Sequence, residues 1–560
     1  DTDDDYYDAA SGYKYAHKTL MGFSLNHLSG TGIPDLGDFL FMPGVGEIKL
    51  EPGTHDDPDA GYRSRYSHDE EWCSPAYYGV NLTDYGMKAE MTAAQRSGIL
   101  RFTYPEADDA FILVDMRHTL WWKCRWANLR KEDDHTITGY KLVQGWGAER
   151  HVYFVAEFSE PLDDFGIMEG GKRVCYDTKR FRSDCEAWGE DLKFWVRFAT
   201  RQEQQVTVRV AISSVDPAGA RGNLHEIDGL TFDEVRSRGE QLWERELSRF
   251  TVEGPQRVKE TFYTSAYRCF LSPFLFQDAD GRFREHDKSI GRAEGFTNYT
   301  TFSFWDTYRA FHPLMNLVRA DMSADVANSM LAHYDKSVER MLPVWSFYGN
   351  ETWCMIGYHA VSVLADMIVK QVPGFDYERA FEAMKRTATN HNYDCLPEYT
   401  KLGWVPFLMK SGTDWFSPAM FVSMLPAIMS LAFGTIAGFT RTTRAELTEV
   451  LTSEFMLLAR TKGLTKAQAT VRHALRNCFV VVVPAIIGEF VSILGGSLII
   501  ERIFSIPGVG RLTIDAINGQ DYPIFMLTTC FYTAIGLAAS LVVDISYGLI
   551  DPRIRMGSKK

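Results

Sequence analysis

The first 214 residues consist of short runs in which apolar or aromatic positions alternate with polar ones, separated by turn-forming residues. A period of two is typical of a strand with one face in a core, and such strands without intervening helices indicate an antiparallel β-sandwich. The predicted strands include Gly46–Leu50, Tyr85–Met91, Ile99–Thr103, Ala110–Val114, His151–Phe158, Phe194–Phe198 and Gln205–Ile212.

The apolar spacing changes to three and four residues between Leu230 and Phe250, and this helical period continues beyond Val258. A sandwich, a linking helix and then serial helices resemble a large carbohydrate-active enzyme whose second domain is an (α/α) toroid. The predicted helices are Val258–Leu271, Thr307–Val318, Ser323–Lys336, Cys354–Lys370 and Tyr377–Thr387.

Three long apolar stretches follow: Trp415–Thr440 and Tyr522–Val543 carry no charge, and Asn477–Ile500 carries only Glu489. Each exceeds the roughly 20 apolar residues that a helix needs to cross a bilayer. We therefore predict a multidomain chain with three transmembrane helices at its end. Its parts are a β-sandwich (1–235), a linker helix with an incomplete toroid (236–406) and an all-α membrane segment (407–560).

Charge and cysteine usage narrow the class of protein. The formal net charge is −14, and the acidic excess lies before Phe407. Since phosphate binding needs clustered Lys and Arg, this composition excludes a nucleic-acid partner. The nine dispersed cysteines have no C-x-x-C or Cys/His metal spacing, which indicates isolated thiols or an occasional disulfide. The start at Asp1 has no signal-peptide pattern, so we expect a removed signal or a sequence that begins inside a larger protein.

Four tracts of the acidic part carry a specific resemblance. They are GFSLNHLSGTGIPDLGDFLFMP (22–43), YSHDEEWCSPAYYGVNL (66–82), YTTFSFWDTYRAFHPL (299–314) and MLPVWSFYGNETWCMIGYHAV (341–361). Residues 1 to about 406 thereby resemble glycoside hydrolase family 92. The resemblance implies a calcium-dependent exo-α-mannosidase that inverts the anomeric configuration, with a mannoside-type sugar as its ligand.

The WDTYR segment is the centre of the expected sugar site. A sugar pocket needs an aromatic face and fixed polar groups, and this segment offers Trp305 as a ring, Asp306 as an acceptor and Arg309 as a donor. The resemblance implies that Asp306 binds hydroxyls of the terminal mannose. Arg309 lies three residues further on a predicted helix, so it either contacts the sugar or pairs with Asp306.

Further residues are candidates for the sugar site or for structural roles. The SGTG loop is expected to bring the backbone of Gly30 and Gly32 to the pocket edge. Glu351 in GNET is either a second sugar ligand or a helix-start cap. His27 and His359 are interpreted as structural residues.

Catalysis needs more than these groups. Inversion requires an acid and a base carboxylate about 6.5–9.5 Å apart. The family carries both in tracts that follow its equivalent of GWVP (403–406), where this chain changes character. We therefore expect no catalytic pair, few of the calcium ligands, a hydrolase region cut at both ends, and sugar binding without hydrolysis.

The last part resembles a different family. Its tracts LTSEFMLLARTKGLTKAQATVRHALRN (451–477), LGGSLIIERIFSIPGVGRLTIDAINGQDYP (494–523) and DPRIR (551–555) resemble the C-terminal part of dipeptide and oligopeptide ATP-binding-cassette permeases. The implied partners are an ATPase, a second permease subunit, a peptide-binding protein and the lipid bilayer. The implied ATPase-coupling loop contains Ala459, Gly463 and Leu475.

Basic residues predict the membrane topology. They are concentrated between residues 441 and 476 and after the third span, whereas loop 501–521 is not net basic. The positive-inside rule then places loop 501–521 and the acidic part outside the inner membrane of the cell. Glu489, the charge inside a span, either lines the translocation path or is a spectator.

No flexible linker separates the two resemblances, although natural fusions join whole domains through exposed segments. We therefore interpret the chain as a join of two fragments. The alternatives are a natural membrane-anchored α-mannosidase and a permease subunit with an extracytoplasmic sugar-binding domain.

Overall fold

The computed structural model describes residues 1–3, 9–28, 30, 32–179, 183–393, 396, 418–494, 501 and 508–550. The chain forms two compact units, Asp1–Asn390 and His391–Lys560. We refer to them as the first and the second unit. The predicted domain boundaries at 235 and 406 stay predictions.

Two antiparallel sheets form the beginning of the first unit and confirm the β-rich N-terminal region. The nine-stranded sheet has the spatial order Glu186–Gly189, Lys123–Lys131, Thr136–Gln144, Arg150–Phe158, Gln204–Ser213, Ser97–Tyr104, Met87–Ala93, Tyr77–Leu82, Glu71–Ser74. The five-stranded sheet has the order Lys172–Arg173, Asp164–Glu169, Leu192–Thr200, Ala107–Asp115, Leu40–Val45. Four further pairs are Thr19–Leu20 with Ser64–Arg65, Phe274–Leu275 with Tyr299–Thr300, Arg282–Arg284 with Ile290–Arg292, and Ser346–Phe347 with Asn350–Glu351.

Side chains of both large sheets belong to one buried apolar cluster, as in a β-sandwich. Along Gln204–Ser213, for example, Val206, Val208 and Val210 are buried while the residues between them are half-buried. Each such side chain stabilises the fold by about 1.5–3 kcal/mol relative to an exposed position. The predicted strand Gly46–Leu50 is wrong, because the strand ends at Val45 and Gly46 has a φ of +94°, outside the extended region.

The rest of the first unit is largely helical, which confirms the predicted change of secondary structure. Its core is a cluster that includes Met330, Leu364 and Ala383. The helices are Pro217–Leu224, Phe232–Leu247, Gln256–Cys269, Phe304–Thr307, Phe311–Val318, Ala320–Lys336, His359–Val369 and Tyr377–Ala388.

Two predicted helices have the wrong bounds. The range 307–318 contains a break, because Pro313 lacks an N–H and fits only the first turn of the new helix Phe311–Val318. The helix expected from Cys354 begins at His359, since Trp353 and Met355 have φ values of +53° and +71° that no helix accommodates.

The second unit is helical in its described parts. The predicted spans 417–439, 478–500 and 523–549 coincide in part with three of its helices, although residues 417 and 495–500 lie outside the described residues. A helix within the predicted outer loop was not foreseen. The described helices are Pro418–Thr452, Glu454–Thr461, Lys466–Ala469 with its π-helical continuation Thr470–Ala474, Leu475–Leu494, Val509–Asn518 and Tyr522–Ile550.

The described helices do not confirm three spans. One stretch, Tyr522–Ser546, is long and apolar enough to cross a membrane, and Lys466–Phe479 with Val481–Glu489 forms a second candidate bent by 51°. Pro484 explains the bend, because it cannot donate to the carbonyl of Val480 and its ring clashes there.

Candidate functional site

The WDTYR segment forms a tight turn on the first unit. The short helix Phe304–Thr307 leaves Trp305 half-buried and Asp306 exposed. Ser303 donates its hydroxyl to Asp306 Oδ2 at 2.5 Å. The Arg309 guanidinium lies 5.4 Å from the centre of the Trp305 ring, a cation–π arrangement, and among the described residues no ion pair joins it to Asp306. The Asp306 carboxylate is therefore oriented by a hydroxyl and remains open to solvent.

A buried tryptophan connects this turn to the glycine loop. Trp345 Nε1 donates to Ser303 Oγ at 3.0 Å, so the same hydroxyl contacts both Trp345 and Asp306. Trp345 packs in one apolar cluster with Leu28 and Leu36, which flank the SGTG loop on both sides. Its ring is also 4.2 Å from that of Trp146. Trp345 thus contacts both tracts: it packs against the residues that flank the glycine loop, and it donates a hydrogen bond to Ser303 of the WDTYR turn.

The two candidate glycines lie on the surface of that loop. Gly30 has a φ of +85°, in the left-handed region that favours glycine. A Cβ on Gly30 or Gly32 would meet no atom within 4 Å. Open space above both residues is compatible with a ligand close to the backbone, and their sugar-binding role stays a prediction. Ser29 and Thr31 lie outside the described residues.

A buried ionic network lies in the same tract. Asp38 is fully buried; its carboxylate is 3.0 Å from Lys141 Nζ and forms an ion pair with Arg150. Asp35 is 3.1 Å from Arg150 Nη2. Burial acts to raise the pKa of Asp38, but the charges of Arg150 and Lys141 hold that pKa well below its usual range. Asn26 Nδ2 also donates to Asp38 at 2.9 Å, which fixes the chain immediately before the loop.

Glu351 is neither a helix cap nor exposed. It belongs to the strand Asn350–Glu351, and its buried carboxylate accepts the backbone N–H groups of Val344, Trp345 and Trp353 at 2.9, 2.8 and 3.0 Å. Burial raises the pKa of Glu351. The helix-cap alternative is therefore wrong, and the residue holds the chain around Trp345 in place. A small cavity of about 190 Å³ lies beside it, lined in part by His286 and His333.

The hairpin that ends at Glu351 also attaches the helical region to the sandwich. The buried Asn350 side chain donates to the carbonyl of Glu149 at 3.0 Å and accepts from Lys288 Nζ at 2.6 Å. Tyr348 and Gly349 form its turn with positive φ values of 49° and 71°. The position of Trp345 is thus fixed from both sides.

The two histidines interpreted as structural have local partners. His27 Nε2 lies 2.6 Å from a carboxylate oxygen of Asp1. The ring of His359 stacks on Tyr308 with centroids 4.3 Å apart. Both contacts agree with a packing role.

The segment predicted to couple to an ATPase is a helix–turn–helix in the second unit. Gly463 has a φ of +89° between the helices Glu454–Thr461 and Lys466–Ala469, so the tight turn requires glycine. A capping box between Thr465 and Gln468 starts the second helix. Ala459 packs in a small buried cluster, whereas Leu475 is half-buried at the start of the next helix.

The intramembrane candidate Glu489 has a polar partner. Thr435 Oγ1 donates to Glu489 Oε1 at 2.7 Å, from the helix Pro418–Thr452 to the helix Leu475–Leu494. This contact shows how the carboxylate is satisfied within the second unit.

Calcium is the metal that the resemblance to family 92 implies. It takes six to eight oxygen ligands. The one described group of three carboxylate, imidazole or thiol side chains is Asp3, His17 and His55, which supplies two nitrogens and one carboxylate. We therefore assign no residue of this chain to calcium.

Comparison with known families divides the chain as the sequence tracts do. The glycosyl hydrolase family 92 N-terminal domain matches residues 1–213, and the catalytic domain of that family matches 219–422. The binding-protein-dependent transport system inner membrane component matches 399–556. The matches overlap between residues 399 and 422.

Solved structures and curated relatives agree with this division. A family GH92 α-mannosidase from Bacteroides thetaiotaomicron, also solved with mannoimidazole, is 68% identical with a TM-score of 0.72; the alignment covers 73% of this chain and 55% of that protein. A dipeptide transport permease of Bacillus subtilis is 41% identical over 26% of this chain and 46% of its own length. A glutathione transport permease of Escherichia coli is 27% identical over 44% of this chain and 79% of its own length.

The chain spans about half the length of the mannosidase and of the dipeptide permease. The three family matches and these relatives divide the chain into the same two regions, one similar to hydrolases and one similar to permeases. The chain therefore matches glycosyl hydrolase family 92 over its N-terminal region and the binding-protein-dependent transport permeases over its C-terminal region.

Proposed function

We propose that the first unit binds a terminal α-mannoside at the WDTYR turn without hydrolysing it, and that the second unit is the C-terminal portion of a peptide-importer permease. The observation that carries the sugar proposal is the exposed Asp306 carboxylate, oriented by Ser303 beside the half-buried Trp305 ring. An aromatic face next to a fixed acceptor is what a pyranose ring with its hydroxyls requires. The 68% identical mannosidase solved with mannoimidazole supports the sugar class.

The chemistry of the neighbouring carboxylate supports binding without turnover. Inversion needs a second carboxyl group that is available to water or to the leaving oxygen. Glu351, the other candidate, is committed to three backbone N–H groups. Without an acid–base pair the site lacks a contribution of about 10²–10⁴ in rate. Calcium, which the family resemblance implies, has no assigned step in this proposal.

Asp306→Asn tests the sugar site. The substitution removes the charge that accepts hydrogen bonds from sugar hydroxyls, and such bonds contribute about 1.5–3 kcal/mol. We expect the dissociation constant for methyl α-mannoside to rise about tenfold to a hundredfold. Isothermal titration calorimetry on the full chain in detergent measures it. Asp108→Asn is the matched control, because Asp108 is an exposed aspartate on the sandwich.

Two results would contradict the sugar proposal. Equal affinity in the wild type and in Asp306→Asn would remove Asp306 from the site. Sustained release of phenol from an aryl α-mannoside, at a rate similar to that of a complete mannosidase, would show that the chain has the catalytic pair after all.

For the second unit we propose a multi-pass location in the inner membrane with three spans. The first unit would then lie on the extracytoplasmic side, with its helices arranged as part of an (α/α) toroid. The partners would be an ATP-binding-cassette ATPase at the helix–turn–helix around Gly463, a second permease subunit and a peptide-binding protein. The similarity to dipeptide and glutathione permeases supports this proposal. The Gly463 turn is the structural support, because a short helix pair can transmit the closing motion of an ATPase.

Cysteine labelling tests topology and ATPase docking together. Asn518→Cys should react with an impermeant maleimide from outside, above the background of the wild-type chain. Lys462→Cys, on the exposed coupling turn, should react only after the cytoplasmic face is opened, and an added ATPase should protect it. The opposite sidedness would invert the topology, and unprotected Lys462→Cys would argue against docking at this loop.

A further inference from the structure

Three metal-capable side chains converge at the start of the sandwich, apart from the sugar site. One ring nitrogen each of His17 and His55 and a carboxylate oxygen of Asp3 lie within 4.8 Å of one another. The two imidazole rings are 4.2 Å apart, and His55 Nε2 already contacts Asp3 Oδ2. The three residues come from separate segments of the chain, so the fold and not a local turn brings them together.

Threonine hydroxyls hold the opposite nitrogen of each ring. His17 Nδ1 is 3.0 Å from Thr2 Oγ1, and His55 Nδ1 is 2.9 Å from Thr19 Oγ1. The Thr2 hydroxyl donates to the carbonyl of Gly12, so it accepts the proton of His17 Nδ1. That tautomer leaves the lone pair on Nε2. Hydrogen bonds of this kind orient imidazoles as metal ligands in known sites.

The cluster is partly accessible to solvent, which is compatible with the entry of a cation. The side chains of His55 and Asp3 are 32% and 19% exposed, and both threonines are buried. Arg63 Nη1 lies 3.4 Å from His55 Nδ1, on the side of the ring opposite to Asp3. Arg63 also donates to Thr19 Oγ1 at 3.1 Å and so helps to place the hydroxyl that holds the ring.

We infer that Asp3, His17 and His55 form a zinc site that ties the beginning of the chain to the sandwich. Two imidazole nitrogens and one carboxylate are a ligand set that zinc accepts with water in the fourth position. The same set is unsuited to calcium, which prefers oxygen ligands only. Bound metal would join the segment at residue 3 to the segments at residues 17 and 55. It would raise the free energy of unfolding by an amount that grows with the logarithm of the zinc concentration divided by its dissociation constant.

Zinc titration of the metal-stripped full chain, purified without a histidine tag, tests the inference. We expect the wild type to bind one more zinc per chain than His55→Ala, and to show a zinc-dependent rise in Tm that the variant lacks. Asp3→Asn keeps the shape of the side chain and should weaken zinc binding at this site at least tenfold. His225→Ala is the control, since His225 is exposed and lies beside Asp228. Millimolar calcium should leave the bound zinc in place.

The inference fails if the wild type and a folded His17→Ala/His55→Ala double variant bind zinc with the same stoichiometry and affinity. Displacement of the zinc by calcium would also overturn it, because that result would require an oxygen-only site. Circular dichroism of each variant establishes that the sheets remain folded. If the histidine variants do not fold, the comparison of wild type with Asp3→Asn decides the question.

Discussion

Asp38→Ala is expected to destabilise the first unit by about 3–5 kcal/mol, the cost of leaving buried charges without a partner. Lys141 and Arg150 are fully buried, and Asp38 is in contact with both. Among the described residues, removal of its carboxylate leaves Lys141 without an ion-pair partner and Arg150 with Asp35 alone. The same change removes the hydrogen bond that Asn26 Nδ2 donates to the Asp38 carboxylate.

Hydrogen-exchange mass spectrometry on the full chain measures this effect in the strand Leu40–Val45, which begins two residues after Asp38. Protection in that strand should fall by a factor of 10² or more, since each 1.4 kcal/mol corresponds to tenfold. Asp108→Ala, at an exposed position, should change the same protection by no more than about 0.5 kcal/mol. A loss below 1 kcal/mol for Asp38→Ala would mean that the buried cations find other partners.

The first unit should also lose stability in mild acid because of its buried histidines. Burial lowers the pKa of His312 to about 3, and the residue is only 3% exposed. Its folded pKa lies below the unfolded value of about 6.5, so the unfolded state binds the extra proton. The stabilising contribution of His312 is therefore complete above about pH 6.5 and is lost as the pH falls toward 3. The loss is about 1.4 kcal/mol per pH unit, or roughly 2 kcal/mol between pH 6 and 4.5.

Denaturant unfolding of the first unit, followed at several pH values by tryptophan fluorescence, measures this slope. His312→Gln should reduce the slope by about one proton, while His333, whose pKa desolvation also lowers, contributes equally in both proteins. His225→Gln, at an exposed position, should leave the slope unchanged. An identical slope in His312→Gln and wild type would show that His312 is not kept neutral by burial.

The sandwich and the helices could be predicted because their apolar periods reflect a single buried face. In Gln204–Ser213 every second residue points into the core, so the alternation is visible in the sequence. Helix bounds were less predictable where backbone geometry decides, as at Met355 with its positive φ. The number of membrane spans cannot be obtained from apolar length alone, because Pro484 bends the helix that contains the second apolar stretch, and the bend lies at Val480.

The candidate sugar-binding residues could be predicted from the sequence, but the buried contacts that hold them in place could not. Asp38 and Arg150 are 112 positions apart in the chain, and charged residues are normally expected on the surface. Nothing in the local pattern shows that they form a buried pair. Glu351 is similar, because its three backbone donors depend on a hairpin of two-residue strands that is too short to produce a hydrophobic period.

The hairpin residue Asn350 has a consequence for how this chain can evolve. Its buried amide is satisfied by Glu149 of the sandwich and by Lys288 of the helical region at the same time. Recombination that exchanged the sandwich alone would replace the chain around Glu149 and so disturb one of these two contacts, and selection would remove products in which a buried amide loses a partner. The two regions that match the hydrolase family are therefore expected to be inherited together, and a tolerated crossover is expected beyond the hairpin, where the match to the permease family begins at residue 399.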